Sequence, residues 1–209
     1  MDAIRLEDIL GRERYGAERD AIRRRLIAHK RARRVGVGDR LTFTFEDRVT
    51  IWYQIQEMLW VEQITDLDAI RGELAVYNAL LPGPGELSAT LMVEIEDQAH
   101  IREDLQRLIG IDEHVLLEIG DAASVPATFE AGRQTAERLS AVQYVRFQLK
   151  PATRAAVASG APLALAVAHP NYRARVVLPE EIRRSLASDV TDPKAADAAL
   201  AMVRDGHAH

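Results

Sequence analysis

Two side chains that could do chemistry, an imidazole and a carboxylate, fall on apolar helix faces in this sequence. On a helical wheel of about 100° per residue, His29 lies next to Leu26, and Glu62 lies one turn beyond Leu59. A carboxylate that faces the interior must find a partner or stay protonated. We therefore expect His29 and Glu62 either to form a buried hydrogen-bonded pair or to share a metal ion. The sequence leaves both interpretations open.

A metal site would need further ligands, and the chain offers several that are scattered along it. Imidazole together with carboxylates suits iron, manganese or zinc. No short ligand spacing such as H-E-x-x-H joins the candidates. The predicted metal ligands are His29, Glu57, Glu62, Glu94 and His169, with Glu46 and Glu96 as further carboxylates.

Two other places have polar groups beside a predicted strand. Glu94 and Glu96 share one face of an alternating strand, about 7 Å apart, where they could bind a cation or simply be solvated. His169 opens the sequence His-Pro-Asn-Tyr after an all-apolar strand predicted over residues 163–168. Such loops often carry functional groups, but proline and asparagine are also ordinary turn residues. For each place, both interpretations stay open.

The charge of the chain is unevenly distributed. Its net charge is −5, yet residues 1–40 hold twelve Lys and Arg against seven Asp and Glu. A basic segment on an acidic body is typical of a docking surface. No aromatic side chains alternate with the arginines, which argues against nucleic acid. We predict that Arg24, Arg31, Arg33 and Arg34 bind an acidic protein partner.

Hydrophobic periodicity indicates the elements that would position these groups. Residues 47–63 are apolar nearly all round the helix, which predicts a buried central helix with Trp52 and Leu59 largely inaccessible. Further helices and strands mix without a regular βαβ alternation. The prediction is an α+β fold in which N-terminal helices and the central helix pack on a largely antiparallel mixed sheet. A single domain over residues 1–204 and a disordered tail over residues 205–209 complete it. The other helices are expected near 17–34, 65–80, 98–109, 180–187 and 192–203, and the strands near 41–46, 87–96, 115–119, 128–130, 141–149, 163–168 and 173–178.

Composition excludes several classes of site. The sequence has no cysteine, so disulfides, zinc–thiolate sites and iron–sulfur clusters bound by this chain are excluded. There is no apolar signal segment at the start and no apolar run long enough to span a membrane. We therefore expect a cytoplasmic protein without membrane contact. No nucleophile elbow or Walker loop assigns a catalytic residue.

Six groups of motifs, taken in combination, carry a family resemblance. They are His29-Lys30-Arg31, Phe45-Glu46-Asp47-Arg48, the YQIQEM segment at 53–58, Tyr77-Asn78 with Leu81-Pro82, the ATLMVE segment at 89–94, and His169-Pro170 with Tyr172. Together they resemble a bacterial family that is known only as a domain of unknown function, over about residues 5–190. Genes of that family often neighbour those of a rubrerythrin-like protein and a cysteine-rich iron–sulfur oxidoreductase. The resemblance implies a peroxide-defence or electron-transfer setting in which any cluster belongs to a partner.

We therefore expect an accessory protein of such a redox system, acting with an iron–sulfur or rubrerythrin-like partner, with or without a bound non-haem metal. A stand-alone metal-dependent enzyme is the alternative. A third interpretation is a protein- or RNA-interaction module that uses the basic N-terminal helix. Genomic association does not by itself give a mechanism.

Overall fold

The computed structural model describes residues 1–95, 98–120, 123–135, 137–192 and 194–206. Its helices are α1 Arg12–Arg31, α2 Arg48–Val61, α3 Leu67–Asn78, α4 Ile101–Arg107, α5 Pro151–Ala158, α6 Glu180–Thr191 and α7 Ala195–Asp205. Its strands are β1 Arg34–Val37, β2 Leu41–Phe45, β3 Glu86–Val93, β4 Val115–Ile119, β5 Ala123–Pro126, β6 Thr128–Phe129, β7 Val142–Gln148, β8 Leu163–His169 and β9 Tyr172–Val177.

The strands form two sheets rather than one. The five-stranded sheet has the order β1-β2-β3-β7-β6, and the four-stranded sheet has the order β5-β4-β8-β9. Each pairing of these strands is antiparallel. Alternate residues of both sheets, such as Phe43, Leu91, Leu117 and Leu165, meet in one apolar core. The predicted α+β class with largely antiparallel strands is confirmed.

A second apolar core joins α1, α2, α3, α7 and the N-terminal segment. Helix α2 lies at its centre, with eight of its fourteen residues buried. Trp52 is fully inaccessible and Leu59 is 6% exposed, which confirms the predicted central helix. The apolar character on nearly every side of α2 explains why neighbouring elements surround it.

The main local error of the sequence prediction lies between α1 and β2. The helix predicted to reach residue 34 ends at Arg31, and Gly36 and Gly38 lie in β1 and in the turn after it. Gly38 adopts a φ of +70°, and a Cβ there would lie 2.2 Å from the hydroxyl of Tyr172. Exposed and buried side chains alternate over only four residues in β1, which is too short a pattern to be distinguished from the end of the preceding helix.

Two ends of elements also differ from the prediction. Strand β3 ends at Val93, so Glu94 lies just beyond it, and Glu96 lies outside the described residues. Helix α7 continues through Asp205, the first residue of the predicted tail, while residues 207–209 lie outside the described part. Within the described ranges, none of the helices combines the length and apolar character that a membrane span requires.

Replacing Leu59 by Ala should lower the free energy of unfolding by about 2–5 kcal/mol, because it leaves a cavity beside the central helix. Urea denaturation followed by circular dichroism measures this change. Val61→Ala is the matched control on the same helix, because Val61 is 61% exposed and should change stability by less than about 0.5 kcal/mol. Similar losses in the two variants would contradict the assignment of α2 as the core helix.

Candidate functional site

Two consecutive carboxylates, Glu46 and Asp47, lie where β2 passes into α2. Glu46 is 4% exposed and Asp47 is 1% exposed. The backbone N–H of Glu46 still donates to Ser88 O of β3 at 2.8 Å, which continues the sheet pairing by one residue. Asp47 is then the N-cap of α2, and its Oδ1 accepts from the backbone N–H of Thr50 at 2.8 Å. A strand and a helix therefore hold both carboxylates in place.

Asp47 forms the centre of a buried ion cluster. Its Oδ2 accepts a hydrogen bond from His29 Nε2 at 2.6 Å and lies 2.7 Å from Arg33 Nε. An ionised carboxylate offers only acceptors, so the Nε2 of His29 carries the proton in this contact. The same Arg33 guanidinium donates two hydrogen bonds to Asp189 of α6, at 2.7 and 2.8 Å. One arginine thus joins two buried carboxylates from different helices.

The ion cluster holds Asp47 ionised. Burial alone would raise the pKa of Asp47, but the charge of Arg33 and the hydrogen bond from His29 outweigh burial and lower that pKa from 3.8 to about 2. At Asp189 burial has the larger effect and raises the pKa, in spite of the two bonds from Arg33. The negative charge is therefore held most firmly at Asp47.

Glu46 lies in the opposite kind of environment. Its Oε1 accepts from the Thr90 hydroxyl at 2.5 Å, and its Oε2 accepts from the Thr50 hydroxyl and from Gln54 Nε2 at 3.2 Å. All three donors are neutral. Burial raises the pKa of Glu46, and the two threonine hydroxyls and the more distant charge of Lys30 offset this effect only in part. Two neighbouring carboxyls of similar burial therefore differ in the direction of their pKa shifts, a pattern typical of groups with separate acid and base roles.

Glu46 lines a crevice of about 120 Å³ between the end of α3 and the polar face of the five-stranded sheet. Tyr144 of β7 forms one wall, and the guanidinium of Arg133 lies 4.1 Å from its ring centroid. Arg146 fixes another wall by binding Glu86 Oε2 at 2.5 Å and the backbone O of Ala79. A buried carboxyl of raised pKa at the base of a rigid crevice is a candidate site for proton transfer.

Comparison with known proteins gives a family without an assigned activity. A model of the family described as "Protein of unknown function (DUF3501)" matches residues 3–190. The chain belongs to the DUF3501 family. A crystal structure of a Burkholderia pseudomallei protein, described as a novel protein of unknown function, is 39% identical. It covers 90% of this chain and 100% of its own, with a TM-score of 0.86. The search of curated proteins gives no match.

Four of the six motifs that carried the family resemblance meet at Glu46 and Asp47 in this DUF3501 protein. His29 contacts Asp47, Gln54 and Thr90 both bind Glu46, and the Lys30 ammonium lies 5.9 Å from the ring centroid of Tyr53. The other two motifs lie elsewhere, where Asn78 binds Ile4 and His169 contacts Ile109. The family model confirms the predicted family, and the structure shows where these four motifs converge.

The predicted pairing of His29 with Glu62 is wrong. Helix α2 ends at Val61, and Glu62 is its exposed C-cap rather than an inward-facing residue. His29 binds Asp47 instead. The periodicity of α2 was extended one residue too far, and the side chain at a helix end is not bound to continue the buried face.

The other predicted metal ligands have separate partners. Glu57 receives two hydrogen bonds from Arg19, at 2.8 and 2.7 Å, and one from Tyr15 at 2.5 Å. The bonds from Arg19 are the main reason why the pKa of Glu57 is lowered. Glu94, just beyond β3, accepts from the Thr42 hydroxyl at 2.7 Å and from Arg34 at 2.8 Å.

His169, the last residue of β8, is buried beside the turn into β9, and both of its ring nitrogens are occupied. Nε2 lies 3.0 Å from Ile109 O, and Nδ1 accepts from the backbone N–H of Asn171 at 3.2 Å. A structural role in the turn accounts for this histidine. Across the described ranges, no group of three or more His, Asp or Glu side chains is arranged to hold a metal ion. The five predicted ligands are not brought together, and a bound iron, manganese or zinc ion stays a prediction.

The predicted docking arginines separate into three kinds. Arg33 is only 4% exposed and belongs to the ion cluster, so its assignment to a docking surface is wrong. Arg34 is exposed but binds Glu94. Arg24 and Arg31 are exposed on α1 and take part in no ion pair among the described residues.

Sequence reasoning missed Asp47 and Asp189 and named Glu46 only as an accessory ligand. Asp47 follows a strand and precedes the apolar helix by one residue, which is an N-cap signal that could have been read. Asp189 lies 156 residues from Arg33, and no local pattern connects the two.

Replacing Asp47 by Asn keeps a good N-cap but removes the charge that Arg33 needs, and should cost about 3–5 kcal/mol of stability at neutral pH. Asp66→Asn is the matched control, because Asp66 caps α3 in an exposed position and its replacement should cost less than about 0.5 kcal/mol. The stabilisation from Asp47 is present above pH 3.8 and is lost as the pH falls toward 2, so the difference between wild type and Asp47→Asn should shrink there. Urea titrations at several pH values measure both effects, and a constant difference would contradict the assignment.

Proposed function

We propose that this protein is an enzyme that uses Glu46 as a general acid–base group on a small polar substrate bound in the crevice. The observation that carries the proposal is the buried Glu46 carboxyl, bound only by neutral donors at the base of that crevice. A carboxyl whose pKa is raised toward neutrality exchanges protons more effectively near physiological pH than an ordinary one.

The surroundings of Glu46 satisfy both of its protonation states. When Glu46 is ionised, the Thr50 hydroxyl donates to it. When Glu46 is protonated, the Thr50 hydroxyl can turn to Asp47 O, 3.1 Å away, and accept the proton of Glu46 with a free lone pair. Because only a hydroxyl hydrogen has to rotate, proton transfer requires little reorganisation of heavy atoms.

The crevice limits the substrate class. Its volume of about 120 Å³ is well below the 300–1,000 Å³ typical of drug-sized ligands, so the substrate is a molecule of few atoms. Its walls offer the phenol of Tyr144 and apolar contact from Leu80 and Phe129, whereas the charges of Glu130 and Arg146 are paired with Arg133 and Glu86. This lining favours a neutral molecule with a carbonyl, amide or hydroxyl group.

Glu46→Gln tests the proposal, because glutamine keeps the shape and loses the exchangeable proton. Burial raises the pKa of Glu46, so the fold disfavours its ionised form relative to the unfolded chain. The contribution of Glu46 to stability is therefore full below pH 4.5 and lost as the pH rises through the raised pKa. Wild type should show this fall in the free energy of unfolding, and Glu46→Gln should not. Carbon-13 NMR of the glutamate carboxyls should locate the same titration.

A thermal-shift screen of small amides, carbonyl compounds and alcohols tests the binding function directly. Compounds that stabilise wild type should bind Glu46→Gln up to about tenfold more weakly, the effect of losing one hydrogen bond. Glu94→Gln is the matched control, because Glu94 also accepts from a threonine but lies outside the crevice, and it should bind as wild type does. Equal binding by Glu46→Gln, or an ordinary pKa for Glu46, would refute the proposal.

A second candidate function, docking to an acidic redox protein, is favoured by the outer face of α1. Ile27 is 55% exposed there, between the exposed residues Arg24 and Arg31. Among the described residues, these two arginines form no ion pair. An exposed apolar side chain between two such cations is typical of a protein-binding surface. The family resemblance suggests an iron–sulfur or rubrerythrin-like protein as the partner, and this identity is a proposal.

The docking surface is tested with a purified rubrerythrin-like protein as the probe. The dissociation constant of the complex should rise as the salt concentration is raised from 50 to 300 mM, because exposed charges are screened over about 8 Å at physiological ionic strength. The double variant Arg24→Gln, Arg31→Gln should weaken binding, whereas Arg184→Gln, which removes an exposed arginine of α6, should not. Retained binding by the double variant, or purification with nuclease-resistant RNA in place of the protein, would contradict this function.

A further inference from the structure

A second cavity, independent of the Glu46 crevice, lies at the other end of α2. It has a volume of about 260 Å³ and opens between the N-terminal segment, the start of α1 and the connection from α2 to α3. Its walls are mainly apolar and include Leu6, Ile9, Leu59, Trp60, Ile64 and Ile70. A cavity of this size and lining is suited to an apolar group smaller than a drug-sized ligand.

Hydrogen bonds hold the wall formed by the N-terminal segment in place. The buried side-chain amide of Gln56 binds the backbone of Leu10 twice, accepting from its N–H at 2.7 Å and donating to its O at 3.3 Å. The indole of Trp52 donates to Asp8 O at 2.9 Å. Asn78 binds the backbone of Ile4 in the same two-bond manner, at 2.8 and 2.9 Å. The cavity is therefore preformed, so a ligand would not have to order this segment.

Trp60 forms the opposite wall in a fixed position. Its ring lies against Gly16 of α1, where a Cβ would stand 2.6 Å from the ring. It also meets the ring of Tyr15 edge-on, with centroids 6.1 Å apart. The Arg12 guanidinium lies 4.5 Å above the Trp60 ring and donates to Trp60 O at 3.0 Å. The space left by the missing side chain of Gly16 is thus occupied by the Trp60 ring, which forms this wall of the cavity.

Arg12 gives the cavity a cationic mouth. Within the described part of the chain, Arg12 forms no ion pair with a carboxylate, and its one hydrogen bond leaves further N–H donors available. Arginine held over an aromatic ring keeps the planar, two-donor edge that matches a carboxylate. An apolar cavity with such a mouth complements a molecule that has an apolar body and a single anionic head.

We propose that this cavity binds a small apolar carboxylate, such as a medium-chain fatty acid, with its chain against Leu59 and Trp60 and its carboxylate on Arg12. Charge complementarity selects this occupant over a purely apolar one. The apolar side chains of a protein partner would fill the same walls but would leave Arg12 without a carboxylate.

Calorimetry with octanoate and octanamide on the full chain tests the proposal, because the two probes share a chain and differ in charge. Octanoate should bind wild type saturably and roughly tenfold more tightly than octanamide, in keeping with a charge-assisted hydrogen bond. Arg12→Gln should bind both probes with the lower affinity of octanamide. Arg23→Gln, which removes an exposed arginine of α1 outside the cavity and outside the docking surface, should bind octanoate as wild type does.

A second variant tests the contribution of the apolar cavity walls to binding separately from that of the Arg12 charge. Leu59→Phe should fill part of the cavity and weaken both probes, and the circular dichroism spectrum of the variant reports whether it has folded. Should that variant misfold, Ile70→Phe at the half-buried rim makes the same test. Four results would overturn the proposal: no saturable binding of octanoate, unchanged affinity in Arg12→Gln, octanamide binding as tight as that of octanoate, or unchanged affinity in a folded cavity variant.

Discussion

The buried guanidinium of Arg33 is the constraint on which the arrangement of this protein depends. Arginine does not lose its charge in a protein, so a guanidinium that is 4% exposed requires carboxylates beside it. Asp47 and Asp189 supply them from the start of α2 and from α6. Arg33 itself lies between α1 and β1, so a single cation fixes two helices relative to the first hairpin.

This constraint also determines where the candidate site lies. Asp47 cannot move without leaving Arg33 only one of its two carboxylates, and Glu46 immediately precedes Asp47 in the chain. Glu46 is therefore held beside Thr50 and Thr90, and the positive charge of Arg33 is paired with Asp47 rather than with Glu46. The same fold stabilises one carboxylate as an anion and favours the proton on the next. Such a difference arises from the partners of each group, because burial acts on both in the same direction.

Helix α2 links the Glu46 crevice and the apolar cavity beside Trp60. Its first turn supports Glu46, and its last turns carry Leu59 and Trp60 into the wall of the apolar cavity. Two aromatic residues of this helix have different tasks. Trp52 is fully buried and binds the N-terminal segment, whereas Trp60 is half-buried and available to a ligand. A helix that is apolar on nearly every side can serve as a rigid support for sites at both ends, because its packing prevents it from shifting.

The sequence by itself determined the class of the fold, the central helix and most of the strands. Hydrophobic periodicity is read within a short segment and does not depend on residues far away in the chain. The sequence also pointed to His29 as an inward-facing histidine and to the absence of cysteine chemistry. Only the tertiary structure decided the partners. His29 binds Asp47 rather than Glu62, and the buried Arg33 is paired with Asp189, 156 residues away. A run of arginines looks the same in the sequence whether its members face solvent or an interior carboxylate. The choice between them depends on desolvation and on long-range pairing, which no local pattern encodes.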